Sequence, residues 1–203
     1  MGRLDKACGY LSGPMEFVSD HGVTWRRKFT KLVYEAGLDI DLIDPTDKPC
    51  GIDSHIGENQ EYQRMLQETG QFKVLQQYVR KYRRYDLRSA DNCDFIVAVV
   101  DPTIPQWGTG NEIYVAEDQH KPTFFIIEGG LKKLPRWLFG VIERIESYDS
   151  LIAERESNVF QSVEEVVEQL VLRDNGTIPL TEEWVLIRKF IEDRRVLRNR
   201  YRE

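Results

Sequence analysis

A three-layer α/β sandwich, with helices on both faces of a parallel sheet of about five strands, is the fold the sequence predicts. Three observations predict it. Short runs rich in β-branched and aromatic residues, bounded by Gly or Pro, alternate with longer amphipathic stretches. These runs are apolar on both faces, as in strands buried between two helical layers. The segments between them are long enough for right-handed crossovers. The pattern is flavodoxin-like or Rossmann-like, with a helical insertion and a C-terminal helix added.

The strands are Ala7 to Leu11, Leu38 to Ile43, Phe95 to Val100 and Thr123 to Ile127, with a fifth near Asn158 to Phe160. Helices are expected over Val23 to Ala36, closed by Gly37, and over Asn59 to Tyr82, Glu112 to His120, Leu134 to Ile145, Val163 to Leu172 and Glu182 to Tyr201. Ser162 followed by Glu165 is a capping-box signature. The α/β domain takes residues 1–173, with the insertion at about 46–85. Residues 174–203 form an appendage that ends in a basic helix.

The chain has 203 residues, of which 41% are hydrophobic and 31% charged, the balance of an ordinary folded protein. The longest apolar runs fall far short of the roughly 20 residues a membrane span needs. The start, Met1 to Asp5, lacks the apolar core of a signal peptide. A cytoplasmic protein is expected. A net charge of −6 argues against bulk nucleic-acid binding. The basic cluster Arg80 to Arg84, interleaved with Tyr78, Tyr82 and Tyr85, reads as a solvated or subunit-facing helix surface, or as a stacking surface with the basic tail Arg194 to Arg202. The three cysteines, Cys8, Cys50 and Cys93, are too few and too scattered for a disulfide framework. His21, His55 and His120 have no metal-ligand spacing.

Ligands of open parallel sheets collect at the carboxyl ends of the strands. The first strand runs into Tyr10-Leu-Ser-Gly-Pro-Met-Glu-Phe17 and the third into Asp101-Pro102 and Gln106-Trp-Gly-Thr-Gly-Asn-Glu112. Gly108 and Gly110 let a ligand approach the backbone. Glu112, read as lying in the first turn of a helix, would be held as an anion. Helix starts carry acids for structural reasons too, so this motif alone leaves both readings open. The Ser12-Gly13-Pro14 turn is neither a Walker loop nor a dinucleotide fingerprint. Asp86, within Arg83-Arg-Tyr-Asp-Leu-Arg88, fits either a surface ion-pair cluster or an acid that protonates a leaving group. Arg26 and Arg27 read equally as phosphate ligands or as a solvated helix face.

Together these pieces resemble the nucleoside 2-deoxyribosyltransferase superfamily, which holds base-exchanging transferases and hydrolases of deoxynucleoside monophosphates. The resemblance rests on Tyr10-Leu-Ser-Gly-Pro14, Asp86, Ala90-Asp91 before Asp94-Phe-Ile-Val-Ala98, Gly108-Thr-Gly-Asn-Glu112 and Lys121-Pro122. It covers about Cys8 to Ile127. It implies that Glu112 is the nucleophile on the anomeric carbon, that Tyr10 orients that carboxylate, and that Asp86 handles the proton of the base. Ser12, Gly13 and Pro14 would line the sugar or phosphate side. Met15, Glu16, Asp101, Gln106, Gly108, Thr109 and Asn111 complete the candidate binding set. The chain departs from the pattern at Gln106, where the family often has an acid.

N-glycosidic cleavage through an oxocarbenium-like state needs a carboxylate and a proton donor, and no metal or redox cofactor. The implied activity is transfer of a (deoxy)ribosyl group between bases. Hydrolysis of a nucleoside monophosphate is the close alternative. A nucleotide-binding module that keeps the fold without the chemistry is the reading from another class. The expected partner is a small nucleoside or nucleotide, with phosphate ligands sought among Arg26, Arg27, Arg83, Arg84 and Arg88. The resemblance also implies a homo-oligomer whose sites neighbouring subunits complete.

Overall fold

Side chains on successive strand residues point to opposite faces, and in this chain both faces are apolar. In Phe95–Val99, Phe95 and Val97 enter one core, while Ile96 and Ala98 enter the other. The computed structural model describes residues 2–48, 56–150, 152 and 157–186. Strands β1 (Cys8–Ser12), β2 (Asp41–Ile43), β3 (Phe95–Val99), β4 (Thr123–Ile126) and β5 (Val159–Phe160) form one parallel sheet of five strands in the order β2-β1-β3-β4-β5. That order is flavodoxin-like and reverses direction between β1 and β3.

The helices are α1 (Val23–Glu35), α2 (Ile56–Glu68), α3 (Phe72–Asn92), α4 (Trp107–Asp118) and α5 (Val163–Asp174). Phe29 and Val33 of α1 share a core with Val166 and Leu170 of α5. Ala90 of α3 and Ile113 and Ala116 of α4 share the core on the opposite face. The result is the expected three layers. Gly9 sits beside Phe95 in the β1–β3 register, and any Cβ there would lie 2.4 Å from the Phe95 ring. Only glycine lets that ring lie across β1.

Several sequence expectations change. The stretch read as one helix from Asn59 to Tyr82 is a hairpin of α2 and α3, broken at Thr69-Gly70-Gln71, where Gly70 has a φ of 72°. α3 runs on to Asn92, so Asp86, Ala90 and Asp91 are helical. Lys121 donates to the carbonyl of Ala90 at 2.8 Å and caps that helix end. The segment Leu134 to Ile145 is not an α-helix. A short 3₁₀ turn, Gly130–Lys132, precedes it, and the segment itself holds a second, Arg136–Gly140, and then irregular chain. Pro135, between the turns, has no N–H to give a helix ladder.

Glu182 to Leu186 is not helical. Trp184 instead lies against Phe95 and Phe124, with ring centroids 5.5 and 6.1 Å apart. The remainder of that expected helix, the basic tail Arg194 to Arg202, Cys50 and His55 lie outside the described residues. Cys8 and Cys93 are buried and not in a disulfide, and burial pushes the Cys93 thiol up to about 12. Among the described residues, no helix is long and apolar enough to cross a membrane.

Candidate functional site

Tyr10 and Ser12 are two apart on β1, so both face the layer formed by α3 and α4. The Tyr10 hydroxyl donates to Glu112 Oε1 at 2.8 Å, and the Ser12 hydroxyl donates to Glu112 Oε2. Each carboxylate oxygen therefore has its own donor. Glu112 lies in the middle of α4, not in its first turn as the sequence reading had it. The Gly108-Thr-Gly110 segment is the opening of α4 and not a turn before it. A Cβ on Gly108 or Gly110 would meet nothing within 4 Å, and of the two only Gly108 lines the cleft that Glu112 lines.

Glu112 is almost fully buried, at 6% exposure, yet forms part of the wall of a cleft of about 1060 Å³. Burial raises its pKa; the Ser12 and Tyr10 hydrogen bonds act against that, and the nearby Asp86 charge adds to the rise. Tyr10 is pushed well above its ordinary range, first by burial and then by the Glu112 charge. It keeps its proton and stays a donor. Asp86 enters the cleft from α3, and Lys48 Nζ lies 2.9 Å from its Oδ1. Burial raises the Asp86 pKa, with Lys48 and Arg26 opposing. Two carboxylic acids, each more basic than in water, thus share one cleft.

The other candidates separate clearly. Gly13, Pro14, Met15, Glu16, Gln106, Gly108, Thr109 and Asn111 line the cleft. Tyr10 and Ser12 do not line it and are joined to it by their hydrogen bonds to Glu112. Asp101 is a correction: it does not line the cleft, and its carboxylate accepts from the Thr103 N–H at 2.9 Å and the Thr103 hydroxyl at 2.6 Å. It closes an Asx turn after β3. The Gln106 Nε2 is buried at the cleft without a partner among the described residues.

Arg26 is not a phosphate ligand. It is fully buried, and it donates to the carbonyls of Leu11 at 3.0 Å, Gly22 at 2.8 Å and Gly13 at 2.9 Å. Asp44 Oδ1 stands 3.6 Å from its Nε. This fork ties the loop after β1 to the start of α1 and fixes the turn that carries Gly13 and Pro14. Gly22 has a φ of 72° and would put a Cβ 2.3 Å from the Pro14 carbonyl, so the clamp also requires glycine there. Arg26→Met removes three buried hydrogen bonds to backbone carbonyls and leaves Asp44 without its cation. It is expected to cost about 3 kcal/mol or more. At roughly 2–4 °C per kcal/mol, a thermal melt would then show a drop of at least about 6 °C.

Arg27 is exposed, and Arg84 and Arg88 lie outside the cleft, whereas Arg83 lines it. Sequence reasoning missed the other contributors from the insertion: Lys48, Gln60, Gln63, Arg64 and Gln67. Tyr78 and Tyr82 also turn into the cleft, packed edge to face at 6.0 Å, and so do not form an outward stacking surface. Tyr82 donates to Gln63 Oε1 at 3.1 Å, and Gln60 Nε2 donates to the Met15 carbonyl at 2.7 Å. These bonds hold the α2–α3 hairpin together and to the loop after β1. The i, i+3, i+4 spacing of Gln60, Gln63, Arg64 and Gln67 was the available signal of a shared helix face.

No family model matches this chain, and no curated protein matches it. Among solved structures it is similar to a conserved protein from Enterococcus faecalis V583, at 18% identity and a TM-score of 0.48, over 83% of this chain and 99% of that one.

Proposed function

We propose that this chain cleaves the N-glycosidic bond of a (deoxy)nucleoside or its monophosphate and passes the sugar to another base through a covalent intermediate on Glu112. The observation that carries this reading is a cleft-facing carboxylate whose two oxygens are held by two separate hydroxyls, with a second acid, Asp86, beside it. In the first step a Glu112 oxygen attacks the anomeric carbon as the C–N bond breaks, and Asp86 delivers its proton to the departing base. In the second step an acceptor base attacks the same carbon, displaces Glu112 and returns a proton to Asp86. The Tyr10 and Ser12 hydroxyls hold the carboxylate in its attacking pose, so little reorganisation is needed.

A chromatographic assay tests this. The protein is incubated with each deoxynucleoside and each monophosphate, with and without a second free base. A new nucleoside formed only when the acceptor is present supports transfer. Free base from monophosphates without acceptor moves the reading to hydrolysis. Nucleotide binding with no turnover of any donor contradicts the enzymatic reading and favours a binding module.

Lys48 gives a pH prediction. Asp86 acts in its protonated form, so activity falls as pH rises through its pKa. Lys48 lowers that pKa. In Lys48→Met the alkaline limb of the kcat/KM profile is expected to move to higher pH. An unmoved or lowered limb would show that Asp86 does not supply the proton.

A further inference from the structure

We propose that the substrate of this cleft is a nucleotide whose phosphate carries a further group, a nucleoside diphosphate conjugate, held at its phosphates by Arg64 of α2 and Arg83 of α3. The proposal rests on the N-glycosidic reading for the reacting end only. Three observations carry it. First, Arg64 and Arg83 both line the cleft, and among the described residues neither has an ion-pair or hydrogen-bond partner. Lys48, the other basic lysine or arginine side chain in the wall, is taken by Asp86.

Second, the two arginines come from facing helices. Gln63 bonds Tyr82 across the hairpin, and the next residue on each helix is the arginine. In an antiparallel pair the next position on each helix turns to the same side. Two planar guanidinium forks on one side of a hairpin suit a pyrophosphate's several oxygens.

Third, the cleft extends well past the arginines. Its lining follows α3 from Asp86 back to Leu75. At 1.5 Å per residue that is about 16 Å of helix, of which Arg83 marks only the first turn from Asp86. A volume of about 1060 Å³ stands at the top of the range, roughly 300–1,000 Å³, that drug-sized ligands fill. A nucleoside has no charge to offer the two arginines, and the lining continues along α3 beyond Arg83 to Tyr78 and Leu75, with Gln67 of α2. A phosphate brings the arginines into use, and a group beyond it fills that stretch. Tyr78 there offers a ring to a flat or apolar moiety.

Calorimetric binding to the full chain bearing Glu112→Gln tests the proposal without consuming ligand, with wild-type protein as the reference for turnover. The probes are deoxynucleosides, their 5′-monophosphates, P1,P2-dinucleoside pyrophosphates and inorganic pyrophosphate. Affinity is expected to rise about tenfold or more from nucleoside to monophosphate, and again to the dinucleoside pyrophosphate. Arg64→Ala and Arg83→Ala, both at exposed positions, should each remove about tenfold of that gain and abolish competition by pyrophosphate.

Equal affinity for monophosphates and their conjugates would overturn the proposal. So would affinities unchanged in both arginine variants. The two readings fail separately. Tight, arginine-dependent binding without turnover sinks the N-glycosidic reading alone; turnover of nucleosides with no response to phosphate sinks this proposal alone.

Discussion

Glu112→Gln is expected to lose about 10⁴-fold or more in kcat/KM while gaining thermal stability. The loss follows from chemistry, because an amide oxygen forms no stable glycosyl ester. The gain follows from linkage. Burial holds the Glu112 pKa above its ordinary value in the folded protein. A raised acid binds its proton more tightly when folded, so its favourable contribution is fully present below the unfolded pKa, about 4.3. That contribution is lost as pH rises through the folded pKa. Above its folded pKa the wild type therefore carries a buried charge that Gln does not. Gln can still accept from one hydroxyl and donate to the other. The melting temperature of the variant should exceed that of the wild type most at alkaline pH. The difference should close as the pH approaches 4. A variant less stable than the wild type at every pH would show that the charge itself holds Tyr10 and Ser12 in place.

Asp86→Asn is the second large effect, with an expected loss of about 10²–10⁴-fold on ordinary purine or pyrimidine donors. The loss should shrink sharply for a donor whose base is already cationic, such as an N7-methylated purine nucleoside. That base departs neutral without receiving a proton. A loss of equal size on both donors would assign Asp86 to positioning and not to proton delivery. The substitution also leaves Lys48, itself buried, without its charge partner. The double variant Asp86→Asn, Lys48→Met separates that structural cost from the catalytic one, since it removes the stranded charge and restores no proton.

The fold was legible because the central strands β1, β3 and β4 obey a strong local rule. β3 and β4 are short apolar runs closed by Pro or Gly, and nothing else in the sequence competes for that role. Elements with weaker local signals were misread. Leu134 to Ile145 has helical hydrophobic spacing, but Pro135 interrupts it, and Arg136–Gly140 takes 3₁₀ form with Leu138 against the core of Ile96 and Ala98. Trp184 looked like part of a helix face, yet its contacts with Phe95 and Phe124 are decided by the core it completes. Such long-range packing overrides local propensity.

Part of the site could be read for a similar reason. Tyr10 and Ser12 share a strand face, and Asp86 and Glu112 stand in motifs whose order could be compared with a family pattern. Lys48, Arg64 and the tyrosines of the hairpin could not be found in the same way. Their place depends on how the insertion folds back on the sheet, which the hydrogen bonds from Gln60 to Met15 and from Tyr82 to Gln63 decide. Arg26 was read as a phosphate ligand or part of a solvated helix face, and its buried scaffold role was missed because a guanidinium also suits a set of backbone carbonyls. Asp101 was misjudged because its place at the carboxyl end of the third strand does not bring it into the cleft; its carboxylate is turned to Thr103.

The covalent step on Glu112 is the centre of this account, and trapping it is the most direct test. A 2′-fluoro-arabino nucleoside or its 5′-phosphate slows departure of the sugar from a glycosyl-enzyme by destabilising the oxocarbenium-like state. Intact mass spectrometry of the treated protein should show one added fluoroglycosyl group, and peptide mapping should put it on Glu112. The adduct should disappear on addition of an acceptor base and be absent from Glu112→Gln. Turnover of the natural donor without any adduct, or an adduct on another residue, would contradict the assignment.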